Sequence, residues 1–122
     1  MQKKVLIVDD DPRNTFALSA VLKARGYKPL AVSNMKEAFS MLEQEPDVGI
    51  ILMDMMMPDM DGYEAIPVLR GQPAYRQLPI IAVTAQAMTG DREKCLAAGA
   101  DDYVSKPIDV TILADKLNRY FN

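Results

Sequence analysis

The chain has 122 residues, 49% hydrophobic and 25% charged, with 17 acidic against 14 basic side chains and a net charge of −3. That length suits one domain with a real core, and the composition excludes the disordered, collagen-like and disulfide-rich classes. The acidic balance, without any Lys/Arg cluster, argues against direct nucleic-acid binding, and the absence of histidine excludes a catalytic, metal-binding or phosphorylated histidine on this chain.

Lys4 to Val8 is a short apolar run rich in β-branched residues, the pattern of a strand covered on both faces. It stops at Asp9-Asp10-Asp11. Asp11 as N-cap and Pro12 at the first helical position then start a helix running to about Arg25, where Gly26 ends it. Lys28 to Val32 reads as a weaker second strand. Asn34, followed three residues later by Glu37, resembles a capping box for a helix that ends near Gln44. Val48 to Met53 is the most apolar strand and leads into Asp54.

A loop with Pro58, Asp59 and Gly62 precedes a helical pattern to about Arg70, in which Pro67 should kink or shorten the helix. Pro79 to Val83 reads as strand four, leading into Thr84. Thr89 to Ala98 reads as a helix closed by Gly99, Asp102 to Val104 as a short fifth strand, and Asp109 to Phe121 as a final amphipathic helix. Strand and helix alternate five times. The expected fold is therefore α/β: a doubly wound, five-stranded parallel sheet with helices on two faces, joined by right-handed crossovers. The apolar runs fall far short of the ~20 residues of a membrane helix, no signal-peptide pattern follows Lys3 and Lys4, and Cys95 is the single cysteine. No membrane association and a cytoplasmic location are expected.

Asp9 to Asp11, Asp54, Thr84 and Lys106-Pro107 each follow an apolar run, so parallel strands would bring them to one rim of the sheet. Two strand orders place them differently. In the order 3-2-1, the first and third strands are not neighbours, and Asp54 would stand ~10 Å from Asp9 and Asp10. In the order 2-1-3-4-5 those strands are adjacent and the acids converge, with Thr84 beside Asp54 and the long Lys106 side chain reaching back. Two carboxylates ~4 Å apart repel by about 4 kcal/mol at an effective dielectric near 20, so such a cluster calls for a cation. With oxygen ligands only, Mg²⁺ is favoured.

With VDDD after the first strand, DMMMPDMDG from Asp54 to Gly62, TA at Thr84-Ala85 and KP at Lys106-Pro107, the chain resembles the receiver domain of bacterial two-component response regulators. The resemblance covers essentially the whole chain and includes the spacing of 30 residues from Asp54 to Thr84 and 52 to Lys106. It implies the flavodoxin-like order 2-1-3-4-5 and a phosphoacceptor switch in a two-component system or phosphorelay. Asp54 would take a phosphoryl group from a phosphohistidine on a sensor histidine kinase or histidine phosphotransfer protein. Asp10 and Asp54 would ligate Mg²⁺, Asp9 through water, with the backbone carbonyl of Met56 as a further ligand. Lys106 would pair with the phosphoryl group, while Thr84 and Tyr103 would relay its arrival to the surface of helix four, strand five and helix five. The chain would thus be a signalling domain, catalysing only its own phosphorylation and dephosphorylation.

The resemblance further implies a cis Lys106-Pro107 bond and a docking surface formed by Asn14, Ala17, Pro107 and Ile108. Met56 and Gln86 would flank the path of the hydrolytic water. Because the sequence stops just after the fifth helix, no output domain is expected within it; a stand-alone regulator and a domain of a hybrid histidine kinase both fit, and the downstream protein is unidentified. A Mg²⁺-dependent phosphatase of the haloacid-dehalogenase type is the alternative, with D-x-D at Asp9 and Asp11 and Asp9 as nucleophile. That reading leaves Asp54 without a role and the chain without room for a cap domain. A flavin-binding flavodoxin-like module would need a Ser/Thr/Gly-rich phosphate loop where this chain has acids.

Overall fold

The computed structural model describes residues 3–85 and 90–121. Five strands, β1 (Lys3–Val8), β2 (Tyr27–Val32), β3 (Ile50–Asp54), β4 (Ile80–Thr84) and β5 (Asp102–Ser105), alternate with five helices. These are α1 (Pro12–Ala24), α2 (Met35–Gln44), α3 (Gly62–Arg70), α4 (Asp91–Ala98) and α5 (Val110–Phe121). All strand pairs are parallel, in the order β2-β1-β3-β4-β5. The expected doubly wound, flavodoxin-like α/β fold and its strand order are therefore the observed ones.

Period-two alternation in the strands explains the two-faced core. Val5 and Ile7 of β1, Ile50 and Leu52 of β3, and Ile81 and Val83 of β4 pack with Leu18 and Leu22 of α1 and Leu113 and Leu117 of α5. Their neighbours Leu6, Val8, Ile51, Met53, Ile80 and Ala82 pack on the opposite face with Ala38 and Leu42 of α2, Ile66 and Leu69 of α3, and Cys95 of α4. Burying a Leu or Ile side chain contributes about 1.5–3 kcal/mol. Runs that are apolar at every position can satisfy this arrangement only if both faces are covered.

The helix starts follow their caps. Asp11 accepts from the Arg13 N–H, Asn34 from Glu37 and Asp61 from Glu64, and Asp109 accepts from both Thr111 and Ile112. Glu37 turns back to accept from the Ser33 N–H and hydroxyl, one residue before the cap. Pro67 does not end α3, which continues to Arg70; Ala65, Ile66 and Leu69 are buried on both sides of it and hold the helix to the sheet. The expected start of α4 at Thr89 lies outside the described residues, and the described helix begins at Asp91 after Gly90. A short 3-10 turn at Pro73–Tyr75, not anticipated from the sequence, joins α3 to β4.

Gly62 begins α3 at a close approach. A Cβ there would collide with the Met55 sulfur and press on its backbone, so glycine lets α3 start directly against the segment that follows Asp54. Asp59, in the same loop, has φ of 68°, a left-handed conformation that aspartate tolerates better than most residues. Among the described residues, no helix is long and apolar enough to cross a membrane.

Candidate functional site

Register brings the acids together. Val8 of β1 pairs with Met53 of β3, so Asp9 and Asp54 follow as neighbours at the carboxyl-terminal rim. Asp54 pairs with Val83 of β4, which puts Thr84 one step beyond it. Asp9, Asp54 and Thr84 are all buried, whereas Asp10 is exposed. Asp9, Asp10 and Asp54 each offer a carboxylate oxygen within 4.8 Å of the others.

The side chains of Asp54, Lys106 and Asp9 are held by named partners. Asp54 Oδ1 accepts from the Met56 N–H at 3.0 Å, and its Oδ2 accepts from Lys106 Nζ at 3.2 Å. Lys106 Nζ also lies 3.6 Å from Asp9 Oδ2. Its backbone N–H donates to the Thr84 carbonyl at 2.7 Å, anchoring the segment after β5 to the end of β4. The Lys106-Pro107 peptide bond is cis. Asp9 accepts from the Asp11 N–H through Oδ1 and from Asn14 Nδ2 through Oδ2.

Burial is the main force lifting the Asp54 carboxyl above its ordinary range; the Asp9 carboxylate adds to it, while the Met56 N–H and the Lys106 ammonium pull the other way. For Lys106, burial works against the charged form, but attraction to Asp54 and Asp9 and the bonds to them outweigh it and raise its pKa. The three acids present only oxygen donors, with no thiolate or imidazole, the donor set of a hard divalent cation such as Mg²⁺. One compact site therefore offers a buried carboxylate, acids suited to a metal and a cation poised between two carboxylates.

The sequence profile of the response regulator receiver domain matches residues 5–118. The chain belongs to the response regulator receiver domain family. This receiver domain is 41% identical over 116 residues to the signal transduction histidine-protein kinase BarA of Shigella flexneri, covering 95% of the chain but 12% of that kinase. It is 36% identical over 121 residues to the polar-differentiation response regulator DivK of Brucella anthropi, covering 98% of the chain and 97% of DivK. Among solved structures, the receiver domain of a Pseudomonas aeruginosa sensor histidine kinase, which has a magnesium ion coordinated in its active site cleft, matches with a TM-score of 0.87 at 38% identity, covering 98% of each chain. The chemotaxis response regulator CheY4 of Vibrio cholerae matches with a TM-score of 0.88 at 28% identity, covering 98% of this chain and 99% of that one. Such receiver domains serve two-component signalling and phosphorelays, in kinases and in response regulators alike.

Asp9, Asp10, Asp54, Thr84 and Lys106 are thus brought to one rim of the receiver domain. Tyr103 lies one strand further, half-buried in β5 against the core face shared by α2, α3 and α4. Met56, two residues after Asp54, is 56% exposed, and its N–H is already engaged with Asp54. Gln86 lies outside the described residues. Asn14, Ala17, Pro107 and Ile108 line a groove of about 280 Å³ between α1 and the segment after Lys106. Asp11, the second acid of the D-x-D pattern, caps α1 instead of joining the acid cluster. The bond from Asn14 to Asp9 was not anticipated, although a residue five positions after Asp9 falls in the first turn of α1.

Proposed function

We propose that this receiver domain is a phosphorylation switch in which Asp54 accepts a phosphoryl group from a phosphohistidine on a sensor histidine kinase or a histidine phosphotransfer protein. The observation that carries this reading is the convergence of Asp9, Asp10 and Asp54 with the Lys106 ammonium at one rim. An Asp54 carboxylate oxygen forms the new P–O bond as the donor's P–N bond breaks. Little covalent chemistry falls to the protein, so positioning and charge neutralisation supply the rate.

Asp10 and Asp54 would hold Mg²⁺ directly, with Asp9 acting through water and the Met56 carbonyl as a further ligand. When bound, the cation neutralises charge on the transferring phosphoryl oxygens. Lys106, whose ammonium lies within reach of both Asp54 and Asp9, supplies a second positive charge, and the Met56 N–H keeps the Asp54 carboxylate in one orientation. Thr84 then turns its hydroxyl toward the new phosphoryl group and Tyr103 changes rotamer, altering the surface of α4, β5 and α5. The phosphoryl group shifts that equilibrium only as far as it binds one state better than the other. The groove at Asn14, Ala17, Pro107 and Ile108 is the surface on which the phosphodonor docks, and the location is cytoplasmic.

Incubation with acetyl phosphate and Mg²⁺, read by intact mass, tests the assignment. One phosphoryl mass is gained by the wild type and none by Asp54→Asn; a gain that persists in Asp54→Asn excludes Asp54 as the sole acceptor.

A further inference from the structure

Asn14, unlike the apolar residues of the groove, sends a polar end into the acid cluster. Its side chain lines the groove, yet its carboxamide Nδ2 donates to Asp9 Oδ2 at 2.5 Å, within the acid cluster. Asp9 is 4% exposed. A buried carboxylate requires donors, and its two oxygens offer about four acceptor positions. The Asp11 N–H takes one at 2.9 Å and Asn14 takes another. Both donors belong to the start of α1, which the Asp11 cap and Pro12 set in place. The orientation of the Asp9 carboxylate is therefore set by the first turn of a helix packed on the core through Leu18 and Leu22, together with the Lys106 ammonium 3.6 Å from Oδ2.

We propose that Asn14 is a positioning residue for the metal site: its carboxamide holds Asp9 in the orientation that faces the cation, and so raises the affinity for Mg²⁺. The proposal rests on the reading that the three acids hold Mg²⁺. Beyond these two bonds and the Lys106 ammonium 3.6 Å from Oδ2, Asp9 keeps acceptor capacity for metal-bound water, and a carboxylate already held by its partners loses little freedom when the ion arrives. Partners of this kind, one bond removed from the ion, typically change metal affinity 10–100-fold when removed. The bond to Asn14 persists in the Mg²⁺ form, because water-mediated contact does not displace it.

Calorimetric titration of Mg²⁺ into the full chain tests this with wild type, Asn14→Leu and Asn14→Gln. Leucine keeps the bulk and favours helix, so α1 is retained, and circular dichroism checks it. Asn14→Leu is expected to bind Mg²⁺ about tenfold more weakly or worse, and Asn14→Gln, which keeps the carboxamide, to recover part of the loss. In wild-type nitrogen-15 spectra, the Asn14 side-chain amide should stay hydrogen-bonded and slow to exchange when Mg²⁺ is added. This second measurement decides the matter even if Asn14→Leu does not fold. Wild-type affinity in a folded Asn14→Leu overturns the proposal, as does an Asn14 amide that becomes solvent-like on adding Mg²⁺. Slower transfer from a protein phosphodonor with unchanged Mg²⁺ affinity would make Asn14 a docking residue only. Failure of the wild type to bind Mg²⁺ overturns the reading of the acid cluster itself, and this proposal with it.

Discussion

Lys106 Nζ lies 3.2 Å from Asp54 Oδ2 although 52 residues separate the two in the chain. The pairing does not fully offset the setting of Asp54, whose carboxyl is still pushed up, chiefly by burial and further by Asp9. A carboxylate with a raised pKa in the folded state favours folding more as pH falls, so at neutral pH its charge opposes folding. Asp54→Asn should therefore raise the melting temperature in Mg²⁺-free buffer, each ~1 kcal/mol gained being worth about 4 °C in a domain of this size. Differential scanning calorimetry at neutral pH checks this, and a lowered melting temperature would count against it.

Met56 bears on the lifetime of the phosphorylated form. Its exposed thioether offers the hydrolytic water no useful hydrogen bond. An amide at this position would supply one, and a hydrogen bond of about 1 kcal/mol made in the transition state corresponds to about a fivefold rate increase. Loss of the phosphoryl mass over time should be faster in Met56→Asn than in the wild type. Equal rates would show that the side chain at this position does not touch the hydrolytic step.

At the opposite rim, Arg70 ties the end of α3 to the segments that lead into β4 and β5. Its Nε donates to the Gly99 carbonyl at 2.9 Å, its Nη1 to the carbonyls of Tyr75 at 3.0 Å and Leu78 at 2.7 Å, and its Nη2 pairs with Asp101 at 2.8 Å. Asp101 in turn accepts from the Ile80 N–H at the start of β4. Arg70→Met should cost about 3 kcal/mol because it strands several part-buried carbonyls at once, while the exposed Asp101 keeps its bond from Ile80. Asp101→Asn, which leaves the guanidinium its carbonyl partners, should cost about 1 kcal/mol. Urea denaturation measures both; equal losses would show that the ion pair, not the carbonyl bonds, carries the effect.

Alkaline pH should weaken the seam between α3 and α4. Burial, the contact with Cys95 Sγ at 3.9 Å and the nearby acids Asp91 and Asp61 push the Tyr63 hydroxyl up to about 12 from an ordinary 10.0. A group whose pKa is raised on folding stabilises fully below its unfolded pKa and loses that contribution as pH climbs through the folded value. Stability from Tyr63 is thus complete below pH 10.0 and lost toward about 12. Tyr63→Phe should show a shallower decline over that window in urea titrations. Cys95, whose thiol is raised mainly by burial, should resist thiol reagents until the protein unfolds.

Much of this molecule was legible from residue order alone because the signals are local. Apolar runs such as Ile50–Met53 need cover on both faces, Asp11-Pro12 and Asn34 mark helix starts, and Gly26 and Gly99 mark helix ends, all decided within a few residues. The helical pattern around Pro67 ends at Arg70, as its spacing implied, and the packing of Ala65, Ile66 and Leu69 holds the helix across the proline. The 3-10 turn at Pro73–Tyr75 follows from how the chain must return to β4, held there by Arg70 carbonyl bonds that no local pattern encodes.

For the site, residue order alone establishes which groups reach the carboxyl-terminal rim, because a strand's end and the residue after it are set by its own apolar run. Which rim groups meet depends on how the strands and helices pack. Placing β1 beside β3 sets Asp9 next to Asp54, the return of the chain after β5 lets Lys106 span both, and the first turn of α1 delivers Asn14 to Asp9 while turning Asp11 away as a cap. The reason is physical: hydrogen bonds and charges act over a few ångströms in space, and only strand order and helix packing convert positions 9, 14, 54 and 106 into neighbours.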